Sequence, residues 1–359
     1  MEAIFRRFFE FDSWLGADPV GAGNINDTYL ASFVVAGRRQ SYILQRLNHR
    51  VFTDPEAVML NIRTVAQHLS KQPGFPLRIP APALALDGRL LQRDEAGNFW
   101  RVFPYFADTY APEHLPEAAV AYAAAQAYGS FLDALCSCPP ENIRETIPGF
   151  HDTDRRWAGF QAVLEQDPAG RVKTAQAAIE RMYAAKPVFD AISALKRAGA
   201  LPSRITHNDT KAGNVLLDLH TGRAVAVIDW DTIMPGTVLS DFGDMVRTFA
   251  PTGPEDDPAA PQLRLEVLES LCRGFLGKTV GFLTATERVN LPLGAQWIIG
   301  EQALRFLTDF LAGDVYYKIK YPEHNLVRAQ NQLALLGAVN RHMPVLQEWV
   351  HTGINPNTR

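Results

Sequence analysis

The stretch His207-Asn208-Asp209-Thr210-Lys211-Ala212-Gly213-Asn214 constrains this chain more than any other. It reads H-x-D-x-x-x-x-N. An apolar run follows, Val215-Leu216-Leu217, then a polar turn over Asp218 to Arg223 with Gly222, then a second apolar run, Ala224 to Ile228, that closes on Asp229. Two short apolar runs joined by a glycine-bearing polar turn spell a β-hairpin. Such a hairpin brings Asn214 and Asp229 to one mouth. That is the inventory phosphoryl transfer from ATP requires: one acid orients the attacking hydroxyl, while an amide and a second acid hold magnesium against the phosphates. Asp209 is the candidate catalytic base, and Asn214 and Asp229 are the candidate Mg2+ ligands. The plainer account is a surface turn whose Asp and Asn only bend and cap the backbone. The coincidence of loop, flanking strands and terminal acid argues against it.

A second string nearby, Asp241-Phe242-Gly243, spells the magnesium motif of protein kinases, but it stands at the head of a helix-like run, Asp244 to Phe249. Ser240 or Asp241 is expected there as an N-cap, and the literal D-F-G as coincidence. The metal is assigned to Asp229, which ends an apolar strand. Asp231 is a second candidate, on the same face if that strand continues.

Length and composition narrow the class. A chain of 359 residues, 47% apolar and 21% charged, has material for two lobes with a sizeable core. A net charge of −4 without a dominant basic run argues against nucleic acid or an anionic membrane as the main partner. No apolar run reaches the roughly 18 residues a spanning helix needs, and the start has no leader pattern, so a cytoplasmic protein is expected. Three cysteines, Cys136, Cys138 and Cys272, fit a reducing compartment. C-x-C is too tight for the usual metal knuckle.

Strand patterns cover Thr28 to Val35 and Ser41 to Leu47, about a turn over Ala36 to Gln40; two more are expected over Ala83 to Leu91 and Phe99 to Phe106. Asp54-Pro55 opens a helix with an apolar stripe at Val58, Ile62, Val65 and Leu69. Beyond Pro116 helical patterns dominate: Ala118 to Leu135, Thr174 to Arg197, Leu263 to Phe275, Thr286 to Asn290 and Trp297 to Leu311. The expected fold is α+β and two-lobed, like a protein kinase: a small antiparallel β-lobe with one helix over residues 1–104, and a larger, mainly helical lobe over 105–359.

The remaining parts of such a site are weaker in the sequence. Gly21, Gly23 and Asn24, ahead of the first strand pattern, suit close backbone approach to phosphates, although Asn26 stands where a third glycine belongs. The lysine of a kinase third strand falls on Gln45, with Arg46 beside it; either could face the phosphates, and Glu56 could pair with Arg46. The connector around Tyr105 is the expected adenine contact. Glu301, Arg305 and Asp309 share a helix face at i, i+4, i+8, either as a solvated salt-bridged stripe or as part of an acceptor site for a polyhydroxylated molecule.

These residues resemble the aminoglycoside phosphotransferase and choline kinase superfamily, on His207, Asp209 and Asn214 and on Ile228-Asp229-Trp230-Asp231. Within it the chain is more similar to bacterial N-acetylhexosamine 1-kinases, on Gly21 to Tyr29, Tyr42 to Asn48, His207 to Lys211, Asp229 to Gly236 with Asp241 to Asp244, and Arg305 to Asp309. The resemblance implies a kinase with ATP and Mg2+ as cofactors and the anomeric hydroxyl of GlcNAc or GalNAc as acceptor. It makes Asp209 the base, Asn214 and Asp229 the metal ligands, and Arg305 and Asp309 acceptor contacts. His207 then supports the loop, and Lys211 either reaches the γ-phosphate or faces solvent. Rival readings are a kinase of the same fold acting on an aminoglycoside, an amino alcohol or homoserine, and an inactive nucleotide-binding protein.

Overall fold

A computed structural model describes residues 1–21, 25–113 and 115–352; the candidates Gly23 and Asn24 lie outside them. After a single helical turn, α1 (Glu2–Phe5), the first hundred residues form a five-stranded antiparallel sheet: β1 (Ser13–Pro19), β2 (Asp27–Val35), β3 (Arg38–Leu47), β4 (Gln92–Arg93) and β5 (Phe99–Pro104), in the order β1-β2-β3-β5-β4. One helix, α2 (Pro55–Leu69), is inserted after β3. Asp54 caps it by accepting from the Ala57 N–H at 3.0 Å, and Pro55 occupies its first turn, where no donor is missed. An aromatic cluster that includes Phe5, Phe8, Phe11, Phe33 and Trp100 packs one face of the sheet.

The β2–β3 turn is tighter than expected. Val35 pairs with Arg38, so only Ala36 and Gly37 lie in the loop, at φ +50° and +71°. Positive φ at both positions is what a two-residue hairpin needs, because only that turn matches the twist of the strands. The expected strand over Ala83 to Leu91 does not form. Ala85 and Arg89 close a turn through Gly88 at φ +81°, and only Gln92 and Arg93 reach the sheet. Strand β1 lay unannounced in the sequence.

The remainder is helical around two short sheets. β6 (Thr109–Tyr110) is followed by α3 (Ala118–Leu135), α4 (Thr153–Gln166) and α5 (Gln176–Arg197). Next come β7 (Arg204–Thr206), β8 (Val215–Asp218), β9 (Ala224–Val227) and β10 (Met234–Gly236). Then follow α6 (Val238–Phe249), α7 (Leu265–Thr279), α8 (Ala285–Ala312), α9 (His324–Arg341) and α10 (Met343–Thr352). The pairing β6-β8-β9 contains the anticipated hairpin, and β7 pairs with β10. Where two helices were expected, α8 runs unbroken for 28 residues through Pro292. Its burial on both sides outweighs the roughly 3 kcal/mol an interior proline costs.

Helices α6 and α8 touch backbone to backbone. A Cβ on Gly243 would meet the Gly294 carbonyl oxygen at 2.3 Å, and one on Gly294 would meet that of Leu239 at 2.5 Å. The glycine of the D-F-G string is therefore a packing residue. Cys136 is exposed, Cys138 and Cys272 are buried, and all three are free thiols. Among the described residues no helix is long and apolar enough to cross a membrane.

Candidate active site

The H-x-D loop leaves β7 and turns sharply, with Asn208 at φ +63°. Such a backbone persists only where its surroundings hold it, and here α6 does so. The Asp241 carboxylate accepts from the N–H groups of His207 and Asn208, each at 2.8 Å. Asp244 accepts from the Thr210 N–H at 2.8 Å, and the Thr210 hydroxyl donates to the Asp241 carbonyl at 2.7 Å. Three N–H groups of the loop thus end on two acids one helical turn apart. Asp241 is not the N-cap the sequence suggested, and neither is Ser240. Helix α6 starts three residues earlier, capped by Thr237, so Asp241 lies inside its first turns and faces the loop. The signal that could have shown this was the i, i+3 spacing of Asp241 and Asp244, which puts both on one helix face.

His207 supports the loop from within. Its Nε2–H donates to the Ile228 carbonyl at 3.0 Å, and Nδ1 accepts from the Asp209 N–H at 3.3 Å. Burial lowers the imidazole pKa, matching this neutral tautomer. The Tyr128 ring packs edge-on against it, and the Tyr128 hydroxyl donates to the Lys211 carbonyl at 2.8 Å.

Asp209 projects from the loop, with its Oδ2 accepting from Lys211 Nζ at 3.0 Å and from Asn214 Nδ2 at 2.9 Å. Lys211 is exposed, and its ammonium group is the ion-pair partner of Asp209. Burial pushes the Asp209 carboxyl up, but the Lys211 charge and the hydrogen bonds from Lys211 and Asn214 outweigh it and hold the group below its ordinary value. No protein donor among the described residues reaches its Oδ1.

The hairpin brings the metal candidates together. Val215 pairs with Val227, and the Ile228 N–H donates to the Asn214 carbonyl at 2.8 Å. Asp229 follows at φ +61°, which turns its side chain out of the strand. Asn214 spends its amide N–H donors on the Asp209 carbonyl and carboxylate, so its Oδ1 keeps its lone pairs. The Asp229 carboxylate accepts no hydrogen bond among the described residues. It is open to water, yet its deep setting and the nearby Asp231 and Asp209 carboxylates push it up to about 7. A carboxylate crowded by other carboxylates, beside an amide oxygen with free lone pairs, suits a hard divalent cation. Mg2+ takes one or two protein oxygens and completes its shell with phosphate and water. Among the described residues no group of three or more His, Cys, Asp or Glu is placed to hold a metal ion.

Other candidates are placed differently. Arg46 turns outward and pairs with Asp27 at the surface, not with Glu56. Gln45 reaches Thr28 and Arg101. Asp231 does not continue the strand beside Asp229. It sits in a helical turn, Trp230–Thr232, and binds the Arg101 guanidinium. Gly21 has φ +75° with open space at its Cα, consistent with a loop that approaches a ligand closely. Tyr105, half-exposed, lines a recess of about 470 Å³ with Arg39, Tyr42 and Pro104.

The stripe on α8 is not solvated. Glu301 and Asp309 are 2% and 4% exposed. Glu301 binds His151 Nδ1 at 2.7 Å and the Thr153 hydroxyl at 2.6 Å. The carboxylate of Asp309 accepts from the N–H groups of Tyr316 and Tyr317 and from Asn325, fixing the segment after α8. Arg305 lies between the Phe150 and Tyr317 rings and donates to Gln302. Asn208, His151, Phe150 and Trp297 line a common cavity of about 540 Å³.

Comparison with solved structures gives the same architecture. An aminopropanol kinase associated with a microcompartment superposes with a TM-score of 0.61 at 18% identity, over 97% of this chain and 99% of its own. For a choline kinase from Cryptosporidium parvum Iowa II the values are 0.55 and 11%, over 95% and 91%. For a spectinomycin phosphotransferase in complex with ADP and spectinomycin they are 0.53 and 16%, over 91% and 93%. The model of the phosphotransferase enzyme family matches residues 16–273. With that match and this site, the chain belongs to the phosphotransferase enzyme family, as a kinase of small-molecule hydroxyl groups that uses ATP and Mg2+.

Proposed function

We propose that this kinase transfers the γ-phosphoryl group of ATP to the anomeric hydroxyl of an N-acetylhexosamine, giving the sugar 1-phosphate. One observation carries the acceptor class: the acids beside Arg305 are already spent within the protein. Glu301 is held by His151, Thr153 and Arg156, Asp309 by two N–H groups and Asn325, and Asp314 by Arg171 and Asn325. These acids are therefore engaged within the protein rather than presented to a primary ammonium group of the kind that an amino alcohol or an aminoglycoside carries. Arg305, held between the Phe150 and Tyr317 rings, donates to Gln302 through one nitrogen and has further guanidinium donors, which suit a neutral polyol bearing an acetamido group. In this reading Asp309 serves the acceptor indirectly, by fixing Tyr317.

The chemistry follows from the loop. With Oδ2 held by Lys211 and Asn214, Asp209 turns Oδ1 to the acceptor hydroxyl. It orients that hydroxyl and takes its proton late, as a loose transition state requires. Asn214 and Asp229 are the residues that hold Mg2+, which when bound neutralises the phosphate oxygens. Gly21 borders the phosphates, and Tyr105 borders the base. The lobe boundary lies at residues 104/105, supported by the end of β5 at Pro104. A cytoplasmic location is supported by the three free thiols.

ATP consumption is to be measured with GlcNAc, GalNAc, choline, aminopropanol and an aminoglycoside, with product position read by phosphorus NMR. An anomeric phosphate from an N-acetylhexosamine is expected. Turnover of an amine acceptor with none of either sugar would end the assignment.

A further inference from the structure

Strand β3 carries Gln45 where a kinase would carry its phosphate-facing lysine, and Arg46 turns away. The buried cation of this sheet lies one strand over. Arg101 on β5 stands opposite Gln45 in the ladder and is 1% exposed. Gln45 accepts from Arg101 Nε at 3.1 Å, while Nη1 and Nη2 donate to the two oxygens of Asp231 at 2.6 and 2.8 Å. Asp231 lies two residues beyond Asp229. Its Oδ2 also accepts from the Asn26 amide at 2.7 Å, and Asn26 in turn accepts from the Asn48 N–H at 3.0 Å. Asn26 follows the glycine-bearing segment between β1 and β2.

One buried carboxylate therefore gathers strand β5, Asn26 at the start of β2 and the turn that carries Asp229. A buried ion pair is a poor way to gain stability, since desolvation of both charges offsets most of their attraction. A bidentate fork does fix geometry, which a single lysine point charge does not. We propose that Arg101 is a positioning residue for the Mg2+–nucleotide: through Asp231 it sets the Asp229 turn, and through the shared Asn26 contact it ties the start of β2 to that turn. The pair Arg101–Asp231, oriented by Gln45, does the ordering that the absent β3 lysine and its acidic partner would do. This rests on Asp229 as a metal ligand and is independent of the acceptor.

The test is calorimetric titration of the full chain with ATP, with and without Mg2+. Arg101→Gln is expected to weaken Mg·ATP binding by about ten- to a hundredfold, the usual effect of losing a group that orients a metal ligand, with metal-free ATP affinity changed far less. Arg101→Lys, which keeps charge without the fork, is expected to fall between. If Arg101→Gln does not fold, Arg101→Gln with Asp231→Asn, which leaves no unpaired buried charge, is read by the same criterion. Wild-type Mg·ATP affinity in the folded variant, or equal loss with and without Mg2+, overturns the proposal. Asp229→Ala separates the premise: if it keeps the Mg2+ preference, the metal assignment fails, whereas if it alone loses that preference, only the role of Arg101 fails.

Discussion

Replacing Asp241 tests whether α6 holds the catalytic loop. Asp241→Ala removes the acceptors of two N–H groups, those of His207 and Asn208, at a site with no solvent access. Each buried donor left without a partner costs about 1–3 kcal/mol, so the variant should lose roughly 2–6 kcal/mol. For a chain of this size that is a fall of roughly 3–8 °C in Tm. Burial already pushes the Asp241 carboxyl up to about 7, so its charge gains the fold little near neutral pH, and the accepting oxygens matter more. Asp241→Asn keeps one such oxygen and should fall between wild type and Asp241→Ala. The loop should also loosen, with Asn208 released from its left-handed conformation. Displacing Asp209 by about 1 Å costs on the order of a hundredfold in kcat. Nucleotide affinity should change little, because no contact of Asp241 involves Asn214 or Asp229. Scanning calorimetry and steady-state kinetics at saturating ATP read both effects. A variant with wild-type Tm and wild-type kcat would refute the reasoning, because the two N–H groups would then have found other partners.

Asp209→Asn should lower kcat by about 10²–10⁴-fold while ATP still binds, as rapid-quench kinetics and calorimetry would show; unchanged turnover would remove Asp209 as the base. Gly243→Ala should cost about 1–3 kcal/mol in urea denaturation, because its new methyl meets the Gly294 carbonyl; a neutral result would mean that α6 and α8 part without cost. Against burial, His151 and Arg156 draw the Glu301 carboxyl down from 4.5 to about 2. A depressed acid stabilises the fold above its unfolded value and loses that contribution as pH falls through about 2. Urea midpoints at pH 6, 4 and 3 should therefore fall more steeply for the wild type than for Glu301→Gln, and parallel profiles would remove Glu301 from the account.

The hairpin and the loop before it could be read from residue order alone. Their residues are contiguous, so spacing alone puts Asn214 and Asp229 at one mouth, and the pattern Asp54-Pro55 marks its own helix start. Helix α3 was legible to the residue because its apolar face repeats without a breaker. What the sequence did not carry were relations between distant segments. Asp241 passes for a cap until α6 is seen to begin at Val238 and to lie under the loop. Pro292 passes for a helix end until α8 is seen buried on both sides. Arg101 passes for one more residue of an edge strand until the sheet register sets it opposite Gln45 and the fold brings Asp231 to its guanidinium, 130 residues later in the chain. Local propensity and spacing act over a few residues, whereas the partner of a buried charge or an unsatisfied N–H is set by which elements pack together, and only the tertiary structure decides that.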